Sequence, residues 1–428
     1  MIISRSLRYR VLTPQKPGQS SHYCKVSYAR GICYRRFHAD HRALVPGPFF
    51  VPYRRSRDQW RIPVNVVILG GGVIGGAIAY YLSRKGLPAT VIERCDIACA
   101  ASGKSGGFLA RDWCVGQLQE PLALLSFDLH TDLPGELSQD YGYRRVDTYH
   151  VALSDRRTIT GDCSTRSGDW IDGNAAVQQQ LGDTTTTAQL HPGKFTRALI
   201  NQACDNGATV RFGTVEAIEF DQAQQCVTGV VVDNERIPAD AVVIAMGPWS
   251  ILATQWLALP AVYGLKGYSI TLAPSGPVAP EALFLDYEDA EGERHGPELV
   301  PRADGEVYLC GFSGSQPLPL APEDISVDSA ECERLRQLAG RISSTLTEAA
   351  VTGQQACYRP ICEDAMPLIG PVLGASGAFI ATGHNCWGML NAPGTGLAMA
   401  ELIAEGQSRT LDLGRLTPGR LPTHHFGS

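Results

Sequence analysis

From residue 64 onward the chain switches between short apolar runs and helical periodicity. Residues 64–69 are apolar but for Asn65, as in a strand buried on both faces. The run leads into Gly70-x-Gly72-x-x-Gly75, and a helical pattern over 73–85 stops at Gly86. A second strand is predicted over 89–92, ending on Glu93. Strand, glycines, helix, strand and acid in this order form a dinucleotide-binding fingerprint. The glycines permit a tight turn and close approach of a pyrophosphate. The first helical N–H groups, at Val73 and Ile74, face the phosphates, and the acid takes ribose hydroxyls. The apolar run 66–82 raises the alternative of a membrane span. Its five glycines, its 17 residues and its polar Ser-Arg-Lys end argue against one, since a span needs about 20. No transmembrane segment is expected.

Further along, 121–141 reads as a helix that Pro134 breaks in two. Residues 143–153 alternate like a strand, and 156–168 read as a loop. A helix is predicted over 175–181, while Thr184 to Thr187 favour strand or loop. A helix is expected over 195–206 after His191-Pro192-Gly193-Lys194, then strands at 209–212 and 215–221. A hairpin follows, with arms 226–232 and 236–237 turning at Asp233-Asn234. The strand 240–246 is apolar after its first residue and ends on Gly247. Several strands between 262 and 312 predict a mostly antiparallel sheet. A helix at 329–346, a strand at 378–382 ending on Gly383, and a helix at 395–405 complete the pattern.

Nucleotide-type elements therefore occur early, in the middle and at the end. The predicted fold class is α/β: a discontinuous Rossmann-type domain (63–110, 190–260 and 355–415) with an inserted, mostly antiparallel α+β substrate domain (111–189 and 261–354). Residues 416–428 form a tail.

The 428-residue chain has a net charge of -6, which hides an asymmetry. Residues 1–62 hold 13 Lys/Arg against two acids, leaving the remainder at -17. An acidic body excludes nucleic acid as the expected partner. The leader is Arg-rich and lacks an apolar core, the composition of a mitochondrial or plastid transit peptide. A cytosolic extension is the alternative. The 13 cysteines include no CxxC pair and no zinc-ligand spacing. They read as mostly small core residues of a reducing compartment, with no metal.

The fingerprint, Ala101-Ser102-Gly103-Lys104-Ser105-Gly106-Gly107, the HPGKF helix start, the strand ending AMGPWS, RPICEDAMPLIG and GHNCWGMLNAPGTG occur in an order that resembles the D-amino-acid oxidase, glycine oxidase and sarcosine oxidase family. The resemblance spans about 64–415 and implies FAD as cofactor. It implies contacts from Gly70, Gly72, Gly75 and Glu93 to pyrophosphate and ribose. Ser102, Gly103, Lys104, Ser105 and Gly107 would wrap phosphate and ring. Val215 would touch adenine, and Gly247 lies at a second nucleotide contact. Gly383, Gly388, Met389 and Leu390 would bring a helix N-terminus to the ring's electron-accepting edge, where it stabilises negative charge.

By the same resemblance, Arg359 would fork onto a substrate carboxylate, a task suited to a planar guanidinium. An ion pair with Asp364 is the alternative. His384 is a candidate for tuning the ring's charge or moving a proton, and Tyr268 with Trp387 and Tyr287 for an aromatic wall. Two positions depart from the family: Cys386 stands where glycine oxidase has a second arginine, and Leu309 where sarcosine oxidases have an oxygen-activating lysine. Cys357 falls near a covalent flavin attachment point but is expected to be a free, buried thiol. The expected activity is oxidation of an amine or amino-acid C–N bond, with O₂ or another electron acceptor. The rival is an FAD-holding scaffold without turnover.

Overall fold

Four consecutive apolar residues, Val66–Leu69, form a central strand because both of their faces are covered. Val66 and Ile68 enter one hydrophobic core, and Val67 and Leu69 enter another. The computed structural model describes residues 65–161, 169–221, 223 and 225–426. The expected leader lies outside the described residues, as does 162–168 of the expected loop. Among the described residues, no helix is long and apolar enough to cross a membrane.

The central strand belongs to a six-stranded sheet. Its order is Leu368–Pro371, Ala378–Thr382, Ala241–Ile244, Val66–Leu69, Thr90–Glu93 and Thr209–Phe212. All neighbours pair in parallel except the Leu368–Pro371 edge. The helices Val73–Arg84, Glu120–Glu136, Pro192–Asp205 and Gly388–Glu405 contribute to the core on one face. The core on the other face includes residues of a three-stranded sheet, Val215–Asp221, Cys226–Val232 and Glu235–Pro238. Its hairpin turns at Asp233 and Asn234, both left-handed (φ 48° and 64°), as a two-residue turn requires.

A second, eight-stranded sheet runs Ala350–Cys362, Val262–Ala273, Val307–Gly314, Glu298–Pro301, Glu281–Glu288, Asp147–Ser154, Ala176–Gly182, with Arg294–His295 beside Glu281–Glu288. One face closes on the Ser329–Ile342 helix in a core of its own, including Ile270, Leu272, Leu299, Leu309, Leu335 and Leu338. The other face carries polar side chains and is the one that concerns function.

Four expectations need correction. Ala176–Gly182 is a strand, not a helix. It pairs antiparallel with Asp147–Ser154, and ladder bonds to that partner override the mild helix preference of alanine, glutamine and leucine. Glu120–Glu136 is one helix, because Pro134 falls in its last turn, where little helix remains to be broken. The last helix begins at Gly388, earlier than expected, and contains Pro393. Finally, Cys95 and Cys99 are joined by a disulfide just beyond Glu93. Ala98, in the left-handed region (φ 62°), turns the segment back between them.

Candidate active site

The parallel strands deliver Gly70, Glu93, Gly247 and Gly383 to one edge of the sheet. Gly70 has φ 112°, and a Cβ there would lie 2.5 Å from the Ala245 carbonyl oxygen. A Cβ at Gly75 would lie 2.0 Å from the Gly70 carbonyl oxygen. No side chain fits at either point, so backbone N–H groups reach the space above the turn. Glu93 is held by two backbone donors, Gly71 N–H at 2.7 Å and Cys95 N–H at 3.0 Å. Each carboxylate oxygen keeps acceptor capacity for a hydroxyl. The Gly213 N–H bonds the Glu93 carbonyl oxygen at 2.8 Å, which brings the start of Val215–Asp221 beside the same edge.

Ser102 Oγ accepts from Val73 N–H at 2.9 Å and so meets the first turn of the Val73–Arg84 helix. Its own O–H remains free to donate to a phosphate oxygen. The 101–107 segment then crosses to the eight-stranded sheet. Tyr308 Oη donates to the Lys104 carbonyl, and an Arg302 guanidinium N–H donates to the Ser105 carbonyl. A Cβ on Gly106 would lie 3.2 Å from the Tyr308 ring. Lys104 Nζ reaches the Ala356 carbonyl at 3.3 Å. Ser105 Oγ is buried without a hydrogen-bond partner.

Strand alternation decides what faces this segment. Leu265 pairs with Arg359, Gly267 with Cys357 and Ser269 with Gln355. Ser269 also pairs with Cys310, Cys310 with Glu298, and Glu298 with Phe284. Directly paired residues share a face, so Arg359, Cys357, Ser269, Cys310, Glu298 and Phe284 occupy one side. Cys386, from the turn before the last helix, senses the charges of Glu298 and Arg359. The Phe284 ring packs edge-on against Trp113 (4.6 Å), and Trp113 meets Trp387 (6.5 Å).

The groups on this face are desolvated and yet keep accessible surface. Burial pushes the Cys310 thiol up to about 12, with the nearby Glu298 charge adding to it. Burial also pushes Cys357 and Cys386 up to about 11 each. Yet Cys310 and Cys357 are only half-buried, and Cys386 is exposed. Accessible surface and desolvation coexist when the accessible space is enclosed by protein. Glu298 is likewise half-buried, and burial raises its carboxyl although Arg359 opposes the shift.

The Arg359 side chain makes no hydrogen bond or ion pair among the described residues. Its sequence neighbour Asp364 is engaged by Arg420, at 2.7 and 3.0 Å. The Arg359–Asp364 alternative is thereby removed. The side chain of Glu298, which sequence reasoning missed, also makes no hydrogen bond or ion pair among the described residues. Its only sequence signal was an acid flanked by apolar residues in a strand, Pro297-Glu298-Leu299-Val300.

Other expected residues lie elsewhere. Tyr268 alternates to the opposite face, packs with Ile270, and donates to Gln316 Oε1 at 3.0 Å. Tyr287 is on that face too, bonded to Asp155 at 2.9 Å. Trp387 therefore joins Trp113 and Phe284 in the aromatic wall, and Tyr268 and Tyr287 do not. Leu309 is fully buried in the same far core, and its neighbour Cys310 faces the cavity. His384 is 2% exposed and bonds Thr395 Oγ1 at 3.0 Å. Burial lowers its imidazole to about 3, which favours a packed, neutral ring. Cys357 is free as expected, but it lies on the Arg359 face and is not fully buried.

Gly388, Met389 and Leu390 form the first turn of the Gly388–Glu405 helix, with no side-chain cap. Pro393 lacks the N–H that would bond Met389 oxygen. His130 Nε2 takes its place, 3.0 Å from Met389 oxygen and 3.1 Å from Leu390 oxygen. One turn earlier on the same helix as His130, Ser126 Oγ accepts the Gly394 N–H at 3.2 Å. Two side chains thus repair the proline break and hold the helix start in place. Burial lowers His130 to about 4, so it serves as a neutral donor.

The donor set fits a group with a diphosphate, a ribose and a flat ring. Backbone N–H groups and Ser102 meet the first, Glu93 the second, and the unpartnered Ser105 hydroxyl and desolvated cavity wall suit the third. A family model described as FAD dependent oxidoreductase matches residues 65–402. A candidate oxidoreductase of Schizosaccharomyces pombe is 29% identical over 380 residues, covering 83% of this chain and 97% of that protein. The fold is similar to glycine oxidase from Geobacillus kaustophilus (TM-score 0.70, 23% identity, 82% and 97% coverage). It is also similar to L-amino acid deaminase from Proteus myxofaciens in complex with anthranilate (TM-score 0.67, 17% identity, 84% and 94% coverage).

Proposed function

The chain belongs to the family of FAD-dependent oxidoreductases, and we propose that it oxidises the C–N bond of an amine or amino acid of the glycine, D-amino acid or N-methyl type. The observation that carries this reading is Arg359. It is an uncommitted guanidinium on a desolvated cavity wall, while the acid nearest in sequence is engaged by Arg420.

Gly70, Gly72, Gly75, Val73, Ile74, Glu93 and Ser102 would hold the dinucleotide part of FAD, and Val215 and Gly247 would border it. Gly103, Lys104, Ser105, Gly107 and Gly383 would enclose the ring with Gly388, Met389 and Leu390. Bound there, FAD supplies an acceptor for hydride from the carbon that bears nitrogen. Arg359 orients the substrate by a two-pronged bond to its carboxylate, which fixes the reacting carbon relative to the wall. Trp113, Trp387 and Phe284 exclude water and flank an amine with aromatic faces. The uncapped Gly388–Glu405 helix start brings partial positive charge to the site. O₂ or another electron acceptor completes the cycle.

The test is anaerobic addition of glycine, sarcosine and D-amino acids to the purified yellow protein. Loss of visible flavin absorbance is expected with at least one of them. A protein that none of these compounds bleaches supports the second reading, an FAD-binding scaffold. That reading is favoured by one feature, the thiol of Cys386 where glycine oxidases carry a second arginine. For residues 1–62 we propose delivery to mitochondrion or plastid. A fusion of that segment to a reporter that remains cytosolic would refute it.

A further inference from the structure

Arg359 and Glu298 carry opposite charges on one face of one cavity. Glu298 is close enough to Arg359 to feel its field, yet the two lie beyond ion-pair contact. Neither side chain has a hydrogen bond or ion pair among the described residues. A lone carboxylate in a desolvated space is costly unless something compensates it. The groups that face Glu298 are Arg359, the Cys310 thiol, the Tyr308 hydroxyl and the Cys386 thiol. None of the neutral ones brings positive charge. Phe284, directly opposite Glu298 in the sheet, begins the aromatic row that runs to Trp113 and Trp387. Acid and aromatic faces together are the chemistry that receives a cationic nitrogen.

We propose that Glu298 and Arg359 form a two-point charge frame that admits the substrate as its zwitterion, with Arg359 on the carboxylate and Glu298 on the ammonium. Glu298 then takes one ammonium proton. An N–H bond breaks, an O–H bond forms on the Glu298 carboxylate, and the neutral amine stays in place. No electron moves in this step, so no further reactant is needed. Glu298 thereby selects substrates with a protonated nitrogen close to a carboxylate and delivers the form that can lose hydride. This rests on the amine-oxidation reading for its chemistry, though not for its binding.

The test uses the full-length holoprotein with Glu298→Gln, Glu298→Asp and Arg359→Met. Binding without turnover is followed by tryptophan fluorescence, using benzoate as a carboxylate lacking an amine and benzylamine as a cation lacking a carboxylate. Glu298→Gln should weaken benzylamine about tenfold or more and leave benzoate equal or tighter, since an attraction and a repulsion are removed together. Arg359→Met should do the reverse, and Glu298→Asp should recover part of the benzylamine affinity. For an amino-acid substrate, the Glu298→Gln reduction rate should fall at neutral pH and recover as pH rises towards the ammonium pKa. Equal weakening of both ligands by Glu298→Gln, or a rate loss independent of pH, would overturn the frame. If wild-type protein binds both ligands as described but no amine or amino acid reduces it, the amine-oxidation reading fails and the binding frame stands.

Discussion

The two halves of the site are built in opposite ways. At the edge of the parallel sheet, recognition uses backbone, and almost every group already has a partner: Glu93 holds two N–H groups and Ser102 meets Val73. On the eight-stranded sheet, recognition uses side chains, and those of the two charged residues, Arg359 and Glu298, have none among the described residues. A nucleotide of constant shape can be met by a rigid, pre-satisfied frame. A small charged substrate needs groups whose charge is still unspent. The first half should therefore fail by loss of cofactor, and the second by loss of affinity with the cofactor retained.

The largest effect tests the first half. Gly75→Val places side-chain carbon where a Cβ alone would be 2.0 Å from the Gly70 carbonyl oxygen. The protein should be colourless or insoluble, read from the ratio of visible to ultraviolet absorbance. A soluble, fully yellow variant would show that the turn is not the cofactor cradle.

The next effect tests the second half. Arg359→Ala should raise KM for carboxylate substrates by roughly 10- to 100-fold, the loss of a charge-assisted bidentate bond. The flavin spectrum should be unchanged. Unaltered KM would remove Arg359 from the substrate face.

Between the halves lies the Gly388–Glu405 helix start, stapled by His130. His130→Ala should cost about 1–3 kcal/mol, because Met389 and Leu390 oxygens lose their donor. Urea titration measures it. A pH series sharpens the point. His130 is lowered to about 4 and His384 to about 3, so between those values and their unfolded value of ~6.5 the unfolded chain binds more protons than the native one. Their contribution is fully present above about pH 6.5 and is lost as pH falls towards 4 and then 3. In His130→Ala the acid loss should be shallower; an identical acid profile would clear His130.

The smallest effect concerns the disulfide beside Glu93. Cys95 and Cys99 are four residues apart, and closing so short a loop is worth about 2 kcal/mol at most. The Cys95→Ser, Cys99→Ser double variant should lose a modest amount of thermal stability and bind flavin more loosely. Thermal melting with flavin release measures both. No change in either would detach the disulfide from the nucleotide edge.

Much of the nucleotide half was legible because its signals are local. Gly70 to Glu93 fall within one βαβ unit, where spacing alone places the turn, the helix start and the acid. The hairpin at Asp233-Asn234 was legible for the same reason. Legibility ended where partners decide. Residues 175–181 read as helix until the neighbouring strand claimed 176–182. The last helix was expected from 395, and nothing near Pro393 in sequence announces that His130 and Ser126, more than 250 residues away, repair the break there. The Cys95–Cys99 bond was missed because spacing says nothing about a left-handed residue between the two thiols.

By itself the sequence determined the dinucleotide turn, the alternation within each strand and the family likeness, since these depend on residues a few positions apart. It also supplied every charge in the cavity. Only the tertiary structure decided which of two alternating faces looks inward. Tyr268 and Leu309 went to the closed core, while Ser269 and Cys310, one residue away, went to the cavity. The physical reason is the two-residue period of a strand: one step in register exchanges faces, and the register is set by neighbours far away in the chain. Only that pairing placed Glu298 on the same wall as Arg359, 61 positions apart in the sequence, where their opposite charges acquire a common use.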